Sequence, residues 1–388
     1  MSPLSAASAR AVLLVVGLAA PLAPACDDGG AAPDPWLWDL PPGFPEPFVP
    51  ADNPMNADKV ELGRRLFYDK RLSGNGTQAC ASCHIQAHGF AEPKAVSVGS
   101  TGEAHFRNAM GLTNAAYNSV QTWANPLHVF LEEQATPPMF GETPVELGLA
   151  GKEVEVVQRF QSDPDYAERF ALAFPDGDGR VTIDRITMAI GAFERTLISG
   201  QSAYDKFWYQ HDPSAMSESA LRGMDLFFSE RLECFHCHAG FDFASSVTSA
   251  GKPFAEIAYH NTGLYNLDGQ GAYPAIDQGL YKVTHDPADM GRFKAPTLRN
   301  IMVTAPYMHD GSIADIDGVL DHYAAGGRTI ADGPDAGVGS ASPLKKAFVK
   351  GFSLTPDERA DLKAFLAALT DEAFLADPRF ADPFAAAP

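Results

Sequence analysis

Two five-residue motifs with the pattern Cys-x-x-Cys-His restrict this 388-residue chain more than any other feature: Cys80-Ala81-Ser82-Cys83-His84 and Cys234-Phe235-His236-Cys237-His238. This spacing is the attachment signature of a c-type haem. The two cysteines form thioethers to the porphyrin vinyl groups, and the adjoining histidine becomes an axial ligand of the iron. Two such motifs, a domain's length apart, predict two covalently bound haem c groups and a fold built around both.

Four of the five cysteines are consumed in this way, which leaves none for a structural disulfide. The fifth, Cys26, follows Arg10, the apolar run Ala11 to Ala20 and the small-residue stretch Leu22-Ala23-Pro24-Ala25. Residues 1–25 thus read as a secretory signal peptide, too short for a stable membrane span. Cys26 is then placed for lipid modification, as in a bacterial lipoprotein on the periplasmic side. Ala23 departs from the larger aliphatic residue usual there, and the alternative is ordinary cleavage with Cys26 as a spare thiol. The chain carries 29 Lys and Arg against 49 Asp and Glu; losing Arg10 gives 28 − 49 = −21. Such an acidic balance argues against nucleic acid and anionic membrane surfaces as partners.

The organisation reads as mainly α, with two cytochrome-c-like haem domains, long loops and little β. Residues 26–50, rich in Asp, Gly, Ala and Pro, form a tether. A helix from about Ala57 to Tyr68 precedes the first motif, and another from Ser217 to Phe228 precedes the second. The repeated order divides the chain into an N-terminal haem domain at 51–215 and a C-terminal one at 216–388. Helical patterns are expected at 151–174 and at 182–198, where Ile183, Ile186, Ile190, Phe193 and Leu197 recur at helical spacing. Thr355-Pro356-Asp357-Glu358 reads as a helix start, with its cap, an early Pro and acids at the positive dipole end. Asp176-Gly177-Asp178-Gly179-Arg180 begins like an EF-hand loop. It lacks the glycine at position six (Val181) and the glutamate at position twelve (Thr187), so it reads as a turn between helices.

Several stretches, in preserved order, resemble the bacterial di-haem cytochrome c peroxidase and MauG superfamily: Leu62-Gly63-Arg64-Arg65-Leu66-Phe67-Tyr68-Asp69, Asn114-Ala115-Ala116-Tyr117-Asn118, Leu131-Glu132-Glu133-Gln134-Ala135, and Phe293-Lys294-Ala295-Pro296-Thr297-Leu298-Arg299-Asn300 with Pro306-Tyr307-Met308-His309-Asp310-Gly311. The resemblance covers nearly the whole mature chain. It implies a haem-dependent oxidoreductase acting with hydrogen peroxide. Three details point to the MauG-like branch, and within it to the MbnH type found with methanobactin genes. Ser100 stands where activatable peroxidases carry a removable distal histidine, which leaves the first haem open; His105 is the competing candidate. Tyr323, fourteen residues after His309, stands where peroxidases place a methionine on the second haem. A phenolate favours higher iron oxidation states than a thioether does; Met308, Met290 and His322 are the alternatives. Trp123 aligns with the tryptophan that relays charge between the haems.

The resemblance further assigns Glu146 as the distal carboxylate that moves protons during O–O cleavage, with Gln134 and Pro138 in the same pocket and Glu142 as an alternative. It implies a calcium ion held by Asn108, Thr304 and Pro306, whose oxygen donors suit a hard cation. The function implied is peroxide-driven formation of a high-valent di-haem state that oxidises an aromatic residue, expected to be Trp, of a secreted partner, a copper-binding protein in the MbnH type. The rivals are a cytochrome c peroxidase fed by a small cytochrome or cupredoxin, and a non-enzymatic electron carrier with both haems six-coordinate.

Overall fold

The computed structural model describes residues 36–175, 177–252 and 256–385; the signal peptide and Cys26 lie outside them. Two helix pairs, built alike, organise the chain. The Ala57–Tyr68 helix begins where the Asn56 side chain accepts the Lys59 N–H at 2.7 Å. It buries Leu62, Leu66 and Phe67 against the Ile183–Glu194 helix. The Glu218–Phe227 helix is capped by Ser217 and packs on Pro356–Ala367, where Thr355 and Glu358 exchange the reciprocal bonds of a capping box.

The two crossings share one contact geometry. A Cβ placed on Gly63 would lie 1.8 Å from the carbonyl oxygen of Ala189 and 2.9 Å from the Cβ of Phe193. A Cβ on Gly223 would lie 1.9 Å from the carbonyl oxygen of Asp361 and 2.9 Å from the Cβ of Phe365. In each pair a glycine lets one backbone rest on the other, and a phenylalanine one turn further closes the contact. The helix-then-motif repeat seen in the sequence is therefore a repeat of packing.

The described residues form one compact unit with two main apolar clusters. The first joins Leu62, Phe67, Phe160, Phe170 and Phe193 to Phe374 and Phe380 from the far end of the chain. The second joins Phe227, Phe243, Leu320 and Phe365 to Tyr204 and Ala124 from the N-terminal half. Each half thus sends residues into the other's core. The 36–50 segment has neither helix nor strand, and it packs on the body: Phe44 is buried against Phe241 and Tyr117, and the Tyr117 hydroxyl donates to the Pro45 carbonyl at 2.7 Å.

The helical pattern at 151–174 forms two helices, Glu153–Gln161 and Pro164–Ala173. Pro164 cannot donate into a continuing helix, and Asp163 caps the new one. The discounted EF-hand stretch joins helices as a turn held by Arg185 on Asp178 at 2.8 Å; Asp176 lies outside the described residues. Strand is confined to two antiparallel pairs, 259–260 with 293–294 and 329–330 with 337–338, among the described residues.

Candidate active site

Each Cys-x-x-Cys-His motif opens with a single 3₁₀ turn, Cys80–Ser82 or Cys234–His236, and the chain then doubles back beneath its own histidine. The Nδ1 of His84 bonds the Phe90 carbonyl at 2.8 Å; the Nδ1 of His238 bonds the Phe243 carbonyl at 3.0 Å. Both phenylalanines adopt left-handed backbone angles, with φ of 59° and 49°. An L residue resists this conformation, and here it is imposed at the two carbonyls that orient the histidines. A bond at Nδ1 leaves Nε2 as the nitrogen available to a metal. Burial holds both imidazoles below their usual pKa, so they stay neutral. A buried neutral imidazole with a fixed tautomer beside two cysteines fits a covalently attached haem in both places.

The cavities above these histidines differ. The first, about 710 Å³, is lined by Cys80, Cys83 and His84 together with Glu103, His105, Gln134, Pro138, Glu146 and Glu194. The second, about 1410 Å³, is lined by Cys234, Cys237 and His238 with Trp123, His260, Met308, His309, Tyr323 and many apolar side chains. Three glutamates line the first cavity, Glu103, Glu146 and Glu194, whereas the second has one, Glu233, among a larger set of apolar side chains.

Glu146 and Gln134 thus meet on the first cavity with Pro138, and Glu142 is not among the lining residues. Burial raises the Glu146 carboxyl above the usual carboxylate range. Its Oε1 lies 3.6 Å from the Nε2 of His105, whose pKa burial lowers. Ser100 does not line the cavity; its N–H donates to the Glu146 carbonyl at 2.7 Å. The backbone at residue 100 thus braces the loop that carries the acid, while His105 reaches the cavity itself.

In the second cavity Tyr323 and Met308 both line the wall, whereas Met290 and His322 do not. Tyr323 sits near the end of the Ile316–Ala324 helix, and burial drives its phenol pKa upward. His309 stacks on Phe293 at 3.6 Å and stands 3.8 Å from Asp277, which Arg107 holds at 2.6 Å. Trp123 lines this cavity and donates its indole N–H to the Asn108 carbonyl at 3.0 Å.

Of the residues expected to hold calcium, Asn108 bonds the end of the 304–309 stretch. The Asn108 N–H donates to the His309 carbonyl at 2.8 Å, and its side-chain amide donates to the Lys94 and Ala95 carbonyls. Thr304 and Pro306 belong to the same 304–309 stretch. Their oxygen donors suit a hard cation.

A model of the di-haem cytochrome c peroxidase family matches residues 57–213. The cytochrome-c peroxidase IdrP1 of Denitromonas iodatirespirans is 34% identical over 93% of this chain and 93% of its own. This chain belongs to the di-haem cytochrome c peroxidase and MauG family. The methylamine utilization protein MauG of Methylophilus methylotrophus is 31% identical over 86% of this chain and 90% of its own. A solved structure described as a MauG-like protein associated with microbial copper homeostasis superposes with a TM-score of 0.87 at 49% identity, covering 90% of this chain and 100% of that one. Family membership makes the protein a peroxide-using, haem-dependent oxidoreductase of the c type, with two haems and the mainly helical fold described above. The family is typically periplasmic, and no described helix is long and apolar enough to cross a membrane.

Sequence reasoning missed Glu194, His260 and Lys346, all on cavity walls. For Glu194 a signal was available: it follows Ile186 and Ile190 at four-residue intervals on one helix face.

Proposed function

We propose that the protein uses hydrogen peroxide to oxidise an aromatic residue, a tryptophan, of a secreted partner protein, with the first cavity as the peroxide site and the second as the store of oxidising power. The reading rests on one contrast: the acid Glu146 lines the first cavity, and Tyr323 lines the second. When bound, the haems supply a peroxide-binding iron and the capacity to hold two oxidising equivalents.

The residues supply the rest. His84 and His238 would hold the two irons through Nε2, each fixed by its Nδ1 bond to a carbonyl. Glu146, raised in pKa by burial, would take a proton from the inner peroxide oxygen and return one to the departing oxygen. Gln134 would orient the bound peroxide. Tyr323 would ligate the second iron, and as an anionic donor would stabilise its oxidised forms. Trp123, anchored through Asn108, would carry charge between the two sites. Asn108, Thr304 and Pro306 would hold calcium. The copper association of the MauG-like neighbour supports a copper-binding protein as the partner, and Cys26 would carry the lipid anchor.

Met308 on the second cavity wall favours a second reading, a cytochrome c peroxidase that takes electrons from a small donor protein. Electron paramagnetic resonance of the ferric protein tests the first reading: one high-spin and one low-spin haem is expected, and two low-spin haems would overturn it. Stoichiometric peroxide should then produce a long-lived near-infrared band and, with the copper-binding partner present, a mass increase on one of its tryptophans. Rapid decay accompanied by oxidation of an added small cytochrome would instead establish the peroxidase.

A further inference from the structure

The Ile183–Glu194 helix ends in a carboxyl that the mechanism above leaves without a task. Glu194 continues the buried face of Ile186 and Ile190 and is 5% exposed. It lines the first cavity with Cys80, His84 and Glu146, and its Oε2 has no hydrogen-bond partner among the described residues. A buried carboxyl left this way favours its protonated, uncharged form.

Its surroundings oppose ionisation. The adjacent cation, Arg195, is already engaged: its Nη2 holds both oxygens of Glu132 at 2.8 and 3.1 Å. Glu132 also accepts the Asn53 amide at 2.6 Å, and Asn53 in turn accepts Lys59 at 2.9 Å. The neighbouring positive charge is therefore balanced by another carboxylate. Burial first, and Glu132 second, push the Glu194 pKa up to about 8, with Arg195 acting against them. The other titratable groups on the cavity are Glu103, Glu146, His105 and His84; thioether attachment would remove the cysteines from the titration, and ligation would remove His84.

We propose that Glu194 is the redox-linked proton acceptor of the first haem cavity. One electron entering the iron is matched by one solvent proton forming an O–H bond on the Glu194 carboxylate, and oxidation releases that proton to solvent. No other bond forms or breaks. The physical reason is Coulombic: lowering the charge of a centre in the same low-dielectric cavity makes a nearby carboxylate more basic. The proposal assumes the family's first haem but neither the protein substrate nor the use of peroxide.

The test is spectroelectrochemical titration of both haems in the holoprotein from about pH 6 to about pH 10, spanning the Glu194 transition. Wild type should show a first-haem potential that falls as pH rises, approaching a tenfold change in the redox equilibrium, about 59 mV, per pH unit. Glu194→Gln should flatten that slope and leave the second haem unchanged. Glu194→Asp should keep the slope with a displaced pH window, and Glu146→Gln should keep it in place. A merely structural role for Glu194 would shift the potential of the Gln variant by a constant and preserve its slope, which would overturn the proposal. So would a flat wild type, or a slope lost only in Glu146→Gln. If the Gln variant fails to load haem, an Asp variant with an unmoved window refutes the idea and a displaced one supports it. The measurement uses no peroxide and no partner, so it succeeds or fails independently of the proposed function.

Discussion

Replacing Gly223 by alanine tests the idea that the two halves are closed by glycine crossings. The new Cβ would sit 1.9 Å from the Asp361 carbonyl oxygen and 2.5 Å from its carbon, both backbone atoms of a neighbouring helix. Reaching even a 3.0 Å contact requires the helices to part by about 1.1 Å (3.0 − 1.9) along that line. A gap of about 0.5–1 Å forfeits roughly a quarter to a half of each dispersion contact across it, here those of Phe227, Leu362, Phe365 and Leu366. Overpacking of this kind costs about 1–3 kcal/mol or more. Alanine regains about 1 kcal/mol of helix propensity, which is smaller than the upper part of that range, so the net effect is destabilising. A net loss of about 2 kcal/mol at about 2–4 °C per kcal/mol lowers Tm by roughly 4–8 °C. Gly63→Ala, with its Cβ 1.8 Å from the Ala189 carbonyl oxygen, should behave alike. Gly251→Ala, at a glycine with open space around it, should not lower Tm. Differential scanning calorimetry of the three holoprotein variants provides the assay. Wild-type melting of both Gly63→Ala and Gly223→Ala would refute the backbone-on-backbone packing.

Other expectations concern charge and chemistry. Glu146→Gln should slow peroxide consumption by about 10²-fold or more while both haems remain attached; stopped-flow spectroscopy measures this, and an unchanged rate removes Glu146 from proton transfer. Arg299, fully buried, holds Asp205 through two bonds of 2.8 and 2.9 Å. Arg299→Leu leaves that carboxylate buried without its cation and should cost about 3–5 kcal/mol in chemical denaturation. The Asp242 carboxyl is raised by burial from 3.8 to about 7, despite Arg299. Because the folded state holds this proton more tightly than the unfolded chain, its contribution is fully present below about pH 4 and is lost as pH rises through about 7. Asp242→Asn should therefore flatten the decline of stability between those limits, and an unchanged pH profile of unfolding would contradict it.

Much of this architecture can be read from local pattern. The haem motifs, the helices at 57–68 and 218–227 and the capped start at Thr355 depend on residues adjacent or a turn apart, and short-range chemistry suffices for them. The acid and amide of the first cavity, Glu146 and Gln134, were legible through the family resemblance and not through local pattern. What was not legible depends on contacts between distant segments. Glu194 looks like one more acid at the end of a helix until the fold turns that helix face towards Cys80 and His84. The bond from the Ser100 N–H to the Glu146 carbonyl likewise joins segments that no local pattern relates.

The sequence by itself thus determined that two haems attach, in what order, and on a mainly helical scaffold, because thioether attachment requires only neighbours along the chain. The resemblance marked the two sites as unequal, and tertiary structure decided which further groups surround each. Glu103, Glu146 and Glu194 collected around the first cavity and a larger set of apolar side chains around the second, and cavity walls are assembled from residues that only packing brings together.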